Sequence, residues 1–203
     1  MITIVDYGLG NLGSIRNMLK KIGHPSQITS DPGLIERAEK LLLPGVGSFD
    51  AGMQNLARGD LIPLLNHRVL DAAVPVLGIC LGMQLMTHSS EEGALSGLGW
   101  IDAHTVRFDS SGPELKVPHM GWNLVRRTRT DPLTDSLPSD PRFYFVHSYR
   151  VRCGRDADVT LVTNYGSEFH SGFRRANIWG VQFHPEKSHR FGMQLLRNFA
   201  ERC

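Results

Sequence analysis

The sequence predicts an α/β protein: a mostly parallel central sheet flanked by helices, with antiparallel strands added in the second half. Three features predict it. Short apolar runs alternate with helical periodicity from residue 2 to residue 70, the rhythm of a parallel sheet with crossover helices. An apolar run at 76–79 then passes without a break into another helical pattern. After Gly93 the texture changes to strand-like segments separated by turns, and helical periodicity returns only at 191–199. No repeat, low-complexity segment or linker interrupts the chain, so residues 1–203 are expected to form one domain.

The elements follow in order. Residues 2–5 are a short apolar strand, and residues 7–11 a turn with Asn11 as a candidate N-cap. Ile15, Met18, Leu19 and Ile22 recur at helical spacing, and Gly23 stops that helix. Residues 27–29 read as a second strand. Asp31-Pro32 opens a helix, a capping residue followed by proline at the first helical position. Leu41-Leu42-Leu43 is a buried strand, followed by the loop Pro44-Gly45-Val46-Gly47 and helical patterns over 51–57 and 61–70. In the second half, 100–108, 116–125, 143–153, 159–165 and 178–183 read as strands.

Composition excludes several classes. A formal net charge of +2 gives no reason to expect nucleic acid or an anionic membrane surface. No apolar run approaches the length of a membrane span, and residues 1–6 read as a strand, not a signal peptide. Cys80, Cys153 and Cys203 are odd in number and far apart, with no C-x-x-C pair. That pattern points to a reducing cytoplasm and away from a disulfide framework or zinc site. The nine histidines show no ligand spacing, so no metal is expected.

Chemistry concentrates in two stretches. Gly78 and Gly82 flank Cys80 at i−2 and i+2, the spacing of a nucleophile elbow between strand and helix. A nucleophile on so sharp a turn needs neighbours without side chains, and the helix beyond it favours thiolate. The N–H of Leu81 is then placed to donate to an oxyanion. The same residues also read as a buried cysteine between packing glycines. The second stretch is Phe183-His184-Pro185-Glu186, at the end of a strand. Pro185 holds His184 extended, so His184 and Glu186 share a face and the carboxylate can orient the imidazole. The other reading is a surface turn.

Three further features are weaker. Gly8-Leu9-Gly10-Asn11-Leu12-Gly13 fits the dinucleotide pattern G-x-G-x-x-G, with Asp31 near the place of a ribose-binding acid. Asp6 would repel a pyrophosphate and Tyr7 would crowd it, so a tight turn is expected instead. The loop at Val46 and Gly47 could supply a second oxyanion donor or be a plain glycine-rich connection. Gln84, four residues after Cys80 on the same helical face, could hold substrate or satisfy a backbone group.

Together the elbow 78–84, the loop 44–47 and residues 183–186 resemble the class I, triad-type glutamine amidotransferases, a flavodoxin-like α/β family. Residues 6–11, 118–123, 144–149 and Lys187-Ser188 resemble, within it, the glutaminase subunits of imidazole glycerol phosphate synthases. The resemblance covers essentially the whole chain. It implies attack of Cys80 on the side-chain amide of L-glutamine, with His184 as base and acid, Glu186 as its orienter and a γ-glutamyl thioester as intermediate. It implies oxyanion donors at Leu81 and in the Val46–Gly47 loop, and glutamine held by Gly45, Gln84, Ser148 and Tyr149. It implies no cofactor. It also implies a heterodimer with a (β/α)8-barrel synthase subunit, which receives the ammonia to make imidazole glycerol phosphate and AICAR from PRFAR. Lys187, His119 and Trp122 are the expected contacts to that partner. Residues 169–173 and 188–193 look closer to a paralogous branch that feeds ammonia to a sugar amidotransferase of surface-polysaccharide synthesis. A cysteine hydrolase acting on peptides or esters and a nucleotide-binding module are the rival classes.

Overall fold

The computed structural model describes residues 1–108 and 116–203. Its core is a sheet whose strands, in chain order, include β1 (Ile2–Val5), β2 (Ser26–Thr29), β3 (Lys40–Gly45) and β4 (Val76–Cys80). The helices between them are α1 (Leu12–Lys21), α2 (Pro32–Glu36), α3 (Phe49–Arg58) and α4 (Leu61–Asn66), the last continued by a π-helical turn over His67–Asp71. Helix α5 (Leu81–Leu85) follows β4 directly. The second half adds β5 (Ala103–Arg107), β6 (His119–Leu124), β7 (Arg126–Arg127), β8 (Arg142–His147), β9 (Tyr149–Cys153), β10 (Val159–Tyr165), β11 (Ser167–Arg175) and β12 (Ile178–Val181). The chain closes with α6 (His189–Arg202).

The sheet order is β2-β1-β3-β4-β12-β11-β10-β7, with β9 beside β11 and β5 beside β9. Strands β2 to β12 in that order pair parallel; from β12 onward the pairing is antiparallel. Strand β12 therefore joins the two halves, parallel to β4 on one side and antiparallel to β11 on the other. Strands β6 and β8 form a separate two-stranded sheet. Ile15 and Leu19 of α1 pack with Leu195, Leu196 and Phe199 of α6 on one face; Ile35, Phe49, Met53, Leu56, Leu61 and Leu65 cover the other. Each such fully buried side chain contributes on the order of 1.5–3 kcal/mol, which fixes the helices to the sheet.

Several local expectations hold and several shift. Asp31 caps α2, its Oδ1 accepting from the Leu34 N–H at 2.9 Å. Asn11 precedes α1 without a side-chain capping bond. Strand β3 runs on through Pro44 and Gly45 instead of ending at Leu43, because β1 stops pairing with it at Leu42 and only β4 needs its backbone beyond. Residues 143–153 divide at Ser148 into β8 and β9, which belong to different sheets. Strand β11 has no counterpart among the expected elements.

Register places the site. Gly45 lies opposite Cys80, and Val181 opposite Ile79. The ends of β3, β4 and β12 thus lie side by side at the C-terminal edge of the parallel sheet, where ligands bind in open α/β sheets.

Candidate active site

Cys80 stands at the break between β4 and α5 with φ 54° and ψ −110°. A non-glycine residue there carries roughly 1–3 kcal/mol of strain. The elbow persists because its surroundings leave no alternative. A Cβ on Gly82 would sit 1.7 Å from the Leu43 carbonyl oxygen, so only glycine lets α5 lie this close to β3. Cys80 is buried, 7% exposed, yet its sulfur faces a cleft of about 350 Å³.

His184 follows β12 in an extended conformation, φ −102° and ψ 97°. Its backbone is tied down on both sides. Its N–H donates to Tyr144 O at 2.9 Å, and its carbonyl accepts from Ser188 Oγ at 2.6 Å. Pro185 then starts a 3-10 turn over Pro185–Lys187, so the chain does not stay extended. The turn still brings Glu186 back to the ring: His184 Nδ1 donates to Glu186 Oε1 at 2.8 Å, both side chains being 2% exposed. That bond puts the hydrogen on Nδ1 and leaves Nε2 toward the cleft. Nε2 is buried and makes no aligned hydrogen bond. Burial opposes charge on the ring, but the Cys80 side chain and the Glu186 carboxylate outweigh it and push the imidazole up to about 10. Cys80, His184 and Glu186, separated in sequence by a hundred residues, meet at one edge.

The remaining expected residues sort by position. Leu81, Val46, Gly47, Gln84, Ser148 and Tyr149 all line the cleft beside Cys80 and His184. Gly47 has φ +121°, a conformation that favours glycine, and gives the loop its turn beside the cleft. Gly45 is buried behind that lining, opposite Cys80, beneath the Tyr7 hydroxyl. Trp122, 46% exposed, stacks on His189 with centroids 5.5 Å apart. Lys187 is exposed, its ammonium 5.5 Å from the Tyr144 ring centroid. His119 departs from expectation. It is not on the surface but buried, between the rings of Tyr165 at 3.9 Å and Phe145 at 4.7 Å. In the loop before α1, the Asp6 carboxylate accepts the Gly8 N–H at 3.0 Å, occupying a donor that a pyrophosphate would need. No cluster able to hold a metal occurs among the described residues.

Sequence reasoning missed three participants. Gln182, wholly buried, donates from Nε2 to Cys80 Sγ at 3.7 Å and accepts at Oε1 from Gln84 Nε2 at 3.1 Å. Tyr7 directs a buried hydroxyl without a partner over Gly45; burial first, and then the charge of Cys80, push its phenol up. His147 lines the cleft and contacts His119 ring to ring, Nε2 to Nδ1, at 3.0 Å. The motif residues around Tyr7 were visible in sequence, but the fold alone brings Gln182 beside the sulfur.

Burial lowers His147 to about 3 and His119 to about 4, so both rings are neutral in the folded protein above that range. Unfolded, each takes up a proton near pH 6.5. Their contribution is therefore complete above pH 6.5 and is lost as pH falls from there toward 4. Urea unfolding is expected to show stability falling by up to about 1.4 kcal/mol per pH unit for each imidazole across pH 6.5–4.5. A variant lacking both rings should flatten that limb; an unchanged slope would contradict the assignment.

Comparison with known proteins identifies the family. The family model for glutamine amidotransferase class-I matches residues 3–203, and the chain belongs to that family. Among curated relatives it is 55% identical to imidazole glycerol phosphate synthase subunit HisH 2 of Methanococcus maripaludis, over the full length of both chains. It is 49% identical to the protein of the same name from Pseudomonas aeruginosa, over 99% of each, and 44% identical to subunit HisH of Leptospira borgpetersenii, over 98% and 99%. Solved structures share the fold. A glutamine amidotransferase superposes with TM-score 0.75 at 17% identity, covering 99% of this chain and 98% of that one. PurLQS from Thermotoga maritima gives 0.72 at 19% identity, covering 98% and 96%.

Proposed function

We propose that this chain is the glutaminase subunit of an imidazole glycerol phosphate synthase, hydrolysing L-glutamine and delivering the ammonia to a (β/α)8-barrel partner in histidine biosynthesis. The relatives that carry that name match the whole chain, and none of them favours the polysaccharide branch over it. The ring-forming lyase step belongs to the partner. The observation that carries the chemistry is the meeting of Cys80, His184 and the Glu186 carboxylate at the edge of one cleft.

The steps follow from that arrangement. His184 Nε2 holds the proton that Cys80 gives up, as an imidazolium beside the thiolate, and the sulfur attacks the amide carbon of glutamine. The tetrahedral oxyanion is held by the N–H of Leu81 and an N–H of the Val46–Gly47 loop, each such donor contributing roughly 3–4 kcal/mol. The imidazolium returns its proton to the leaving nitrogen, and ammonia departs. Water, activated by the same imidazole, cleaves the thioester to glutamate. Gln84, Ser148 and Tyr149 orient the substrate, and Gly45 holds the oxyanion loop in place beneath it. Trp122 and Lys187, both exposed, are the contacts to the barrel. Ammonia released to water would be protonated and lose its nucleophilicity, so a closed route to the partner is needed. The proposed setting is the cytoplasm; no helix among the described residues is long and apolar enough to cross a membrane.

The test is reconstitution with the barrel subunit co-purified from the source cell. Glutamine labelled with 15N in its side-chain amide is expected to pass the label into imidazole glycerol phosphate, with glutamate formed in equal amount. Hydrolysis by the isolated chain should be slow and should rise when the partner holds its own ligand. A captured partner that aminates a sugar, or label lost entirely to solvent ammonium, would overturn the assignment.

A further inference from the structure

We propose that Gln182 is a positioning residue for this reaction, holding an N–H on the sulfur of Cys80 in a direction set by Gln84, whose amide bridges Gln182 Oε1 and the Tyr149 carbonyl. The proposal rests on the reading of Cys80 as nucleophile. Its starting point is one backbone carbonyl, Tyr149 O, which can only accept.

Two side chains reach that oxygen. His147 Nδ1 lies 2.7 Å from it and Gln84 Nε2 3.2 Å from it. His147 must therefore carry its hydrogen on Nδ1. Its Nε2 is then a lone pair, so the facing Nδ1 of His119, at 3.0 Å, must be the donor. His119 Nε2 in turn accepts from Asn123 Nδ2 at 3.1 Å, whose other hydrogen goes to Asn164 O at 2.9 Å. Every group on this side has one allowed orientation.

The same logic runs toward the sulfur. Gln84 spends one amide hydrogen on Tyr149 O and the other on Gln182 Oε1 at 3.1 Å. With its oxygen occupied, Gln182 has only Nε2 to present to Cys80 Sγ, 3.7 Å away. A flipped amide would lose the Gln84 bond and set an oxygen against the sulfur lone pairs. No water competes, since Gln182 is fully buried and its backbone N–H is tied to Ser171 O at 2.9 Å. A neutral thiol gains little from such a donor, whereas a thiolate gains a charge-assisted bond, so the contact favours the reactive form. It also holds the sulfur on the side of the elbow that faces the cleft. A glutamine that merely filled space here would affect stability without affecting sulfur reactivity.

The experiment measures alkylation of Cys80 by iodoacetamide in the full chain, followed by mass of the Cys80 peptide so that Cys153 and Cys203 do not contribute. Gln182→Met keeps length and removes the donor. It is expected to slow alkylation at pH 7 about tenfold, the effect of moving a titration by one unit, and to displace the pH profile upward. The other groups that face the sulfur, His184 with Glu186 and Tyr7, are the same in both proteins, so the displacement reports Gln182. Co-elution with the barrel subunit and the urea-unfolding midpoint of the chain are read alongside, so that a loss of fold or docking is told apart from a change at the sulfur. If Gln182→Met does not fold, Gln182→Asn carries the comparison: it keeps an amide but is one methylene too short to bridge Gln84 and Cys80. A folded variant with wild-type alkylation rate and pH profile would overturn the proposal. Failure of the nucleophile assignment reads differently: wild-type protein alkylated at Cys80 would then still consume glutamine.

Discussion

Cys80→Ala is expected to lower glutamine-dependent synthesis by about 10⁴-fold or more while the partner complex still works with added ammonium salt. The magnitude follows from the role. Removing the nucleophile of a covalent mechanism removes the route itself, and what survives is binding and oxyanion contacts acting on water. The substitution is mild for the fold. Alanine meets the same positive φ at 54° that cysteine already tolerates, and the lost sulfur bordered the cleft, so no sealed cavity forms. Near-normal unfolding stability together with retained co-elution with the barrel subunit would place the loss in the chemistry alone. Loss of co-elution with the barrel subunit would mean that the variant fails to dock or fold. Retained glutamine hydrolysis would remove Cys80 from the mechanism.

What could be read from sequence was local. Gly78-Ile79-Cys80-Leu81-Gly82 announces its turn because the steric demand of the elbow is met by its own neighbours. Likewise His184, Pro185 and Glu186 lie within three positions. Contacts that depend on strand order were invisible. Gln182 meets Cys80 only because β12 inserts beside β4 with Val181 opposite Ile79, a pairing across a hundred residues that no periodicity reports. His119 was misplaced for a physical reason. In β6 the apolar Met120, Trp122 and Leu124 are exposed, whereas His119 is buried and Asn123 half-buried, which inverts the usual alternation. Strand β11 gave no signal because Ser171 and Gly172 occupy its buried centre. Gly172 has no side chain because Leu161 of β10 already fills that space, at 2.8 Å from where a Cβ would stand.

The second large effect is expected at the base. His184→Gln should cut glutamine hydrolysis by about 10²–10⁴-fold, since it removes proton transfer in both directions and leaves the sulfur and oxyanion donors in place. Glu186→Gln separates orientation from basicity. A glutamine at 186 can still accept from His184 Nδ1, but it no longer bears the charge that favours the imidazolium. The ring is held up near 10 in the folded protein by Cys80 and Glu186 against the cost of burial. Its folded value lies above its unfolded one, so its contribution to stability is complete below about pH 6.5 and disappears as pH rises toward 10. Glu186→Gln should therefore lower the imidazole titration followed by NMR, shrink the alkaline loss of stability, and slow glutamine hydrolysis by a smaller factor than His184→Gln. The order of the two effects follows from the distances: Glu186 touches only Nδ1, at 2.8 Å, while Nε2 faces the sulfur. If Glu186→Gln left the ring's titration where it was, the carboxylate would be a structural partner only, and the pairing of Cys80 with His184 would have to account for the raised imidazole by itself.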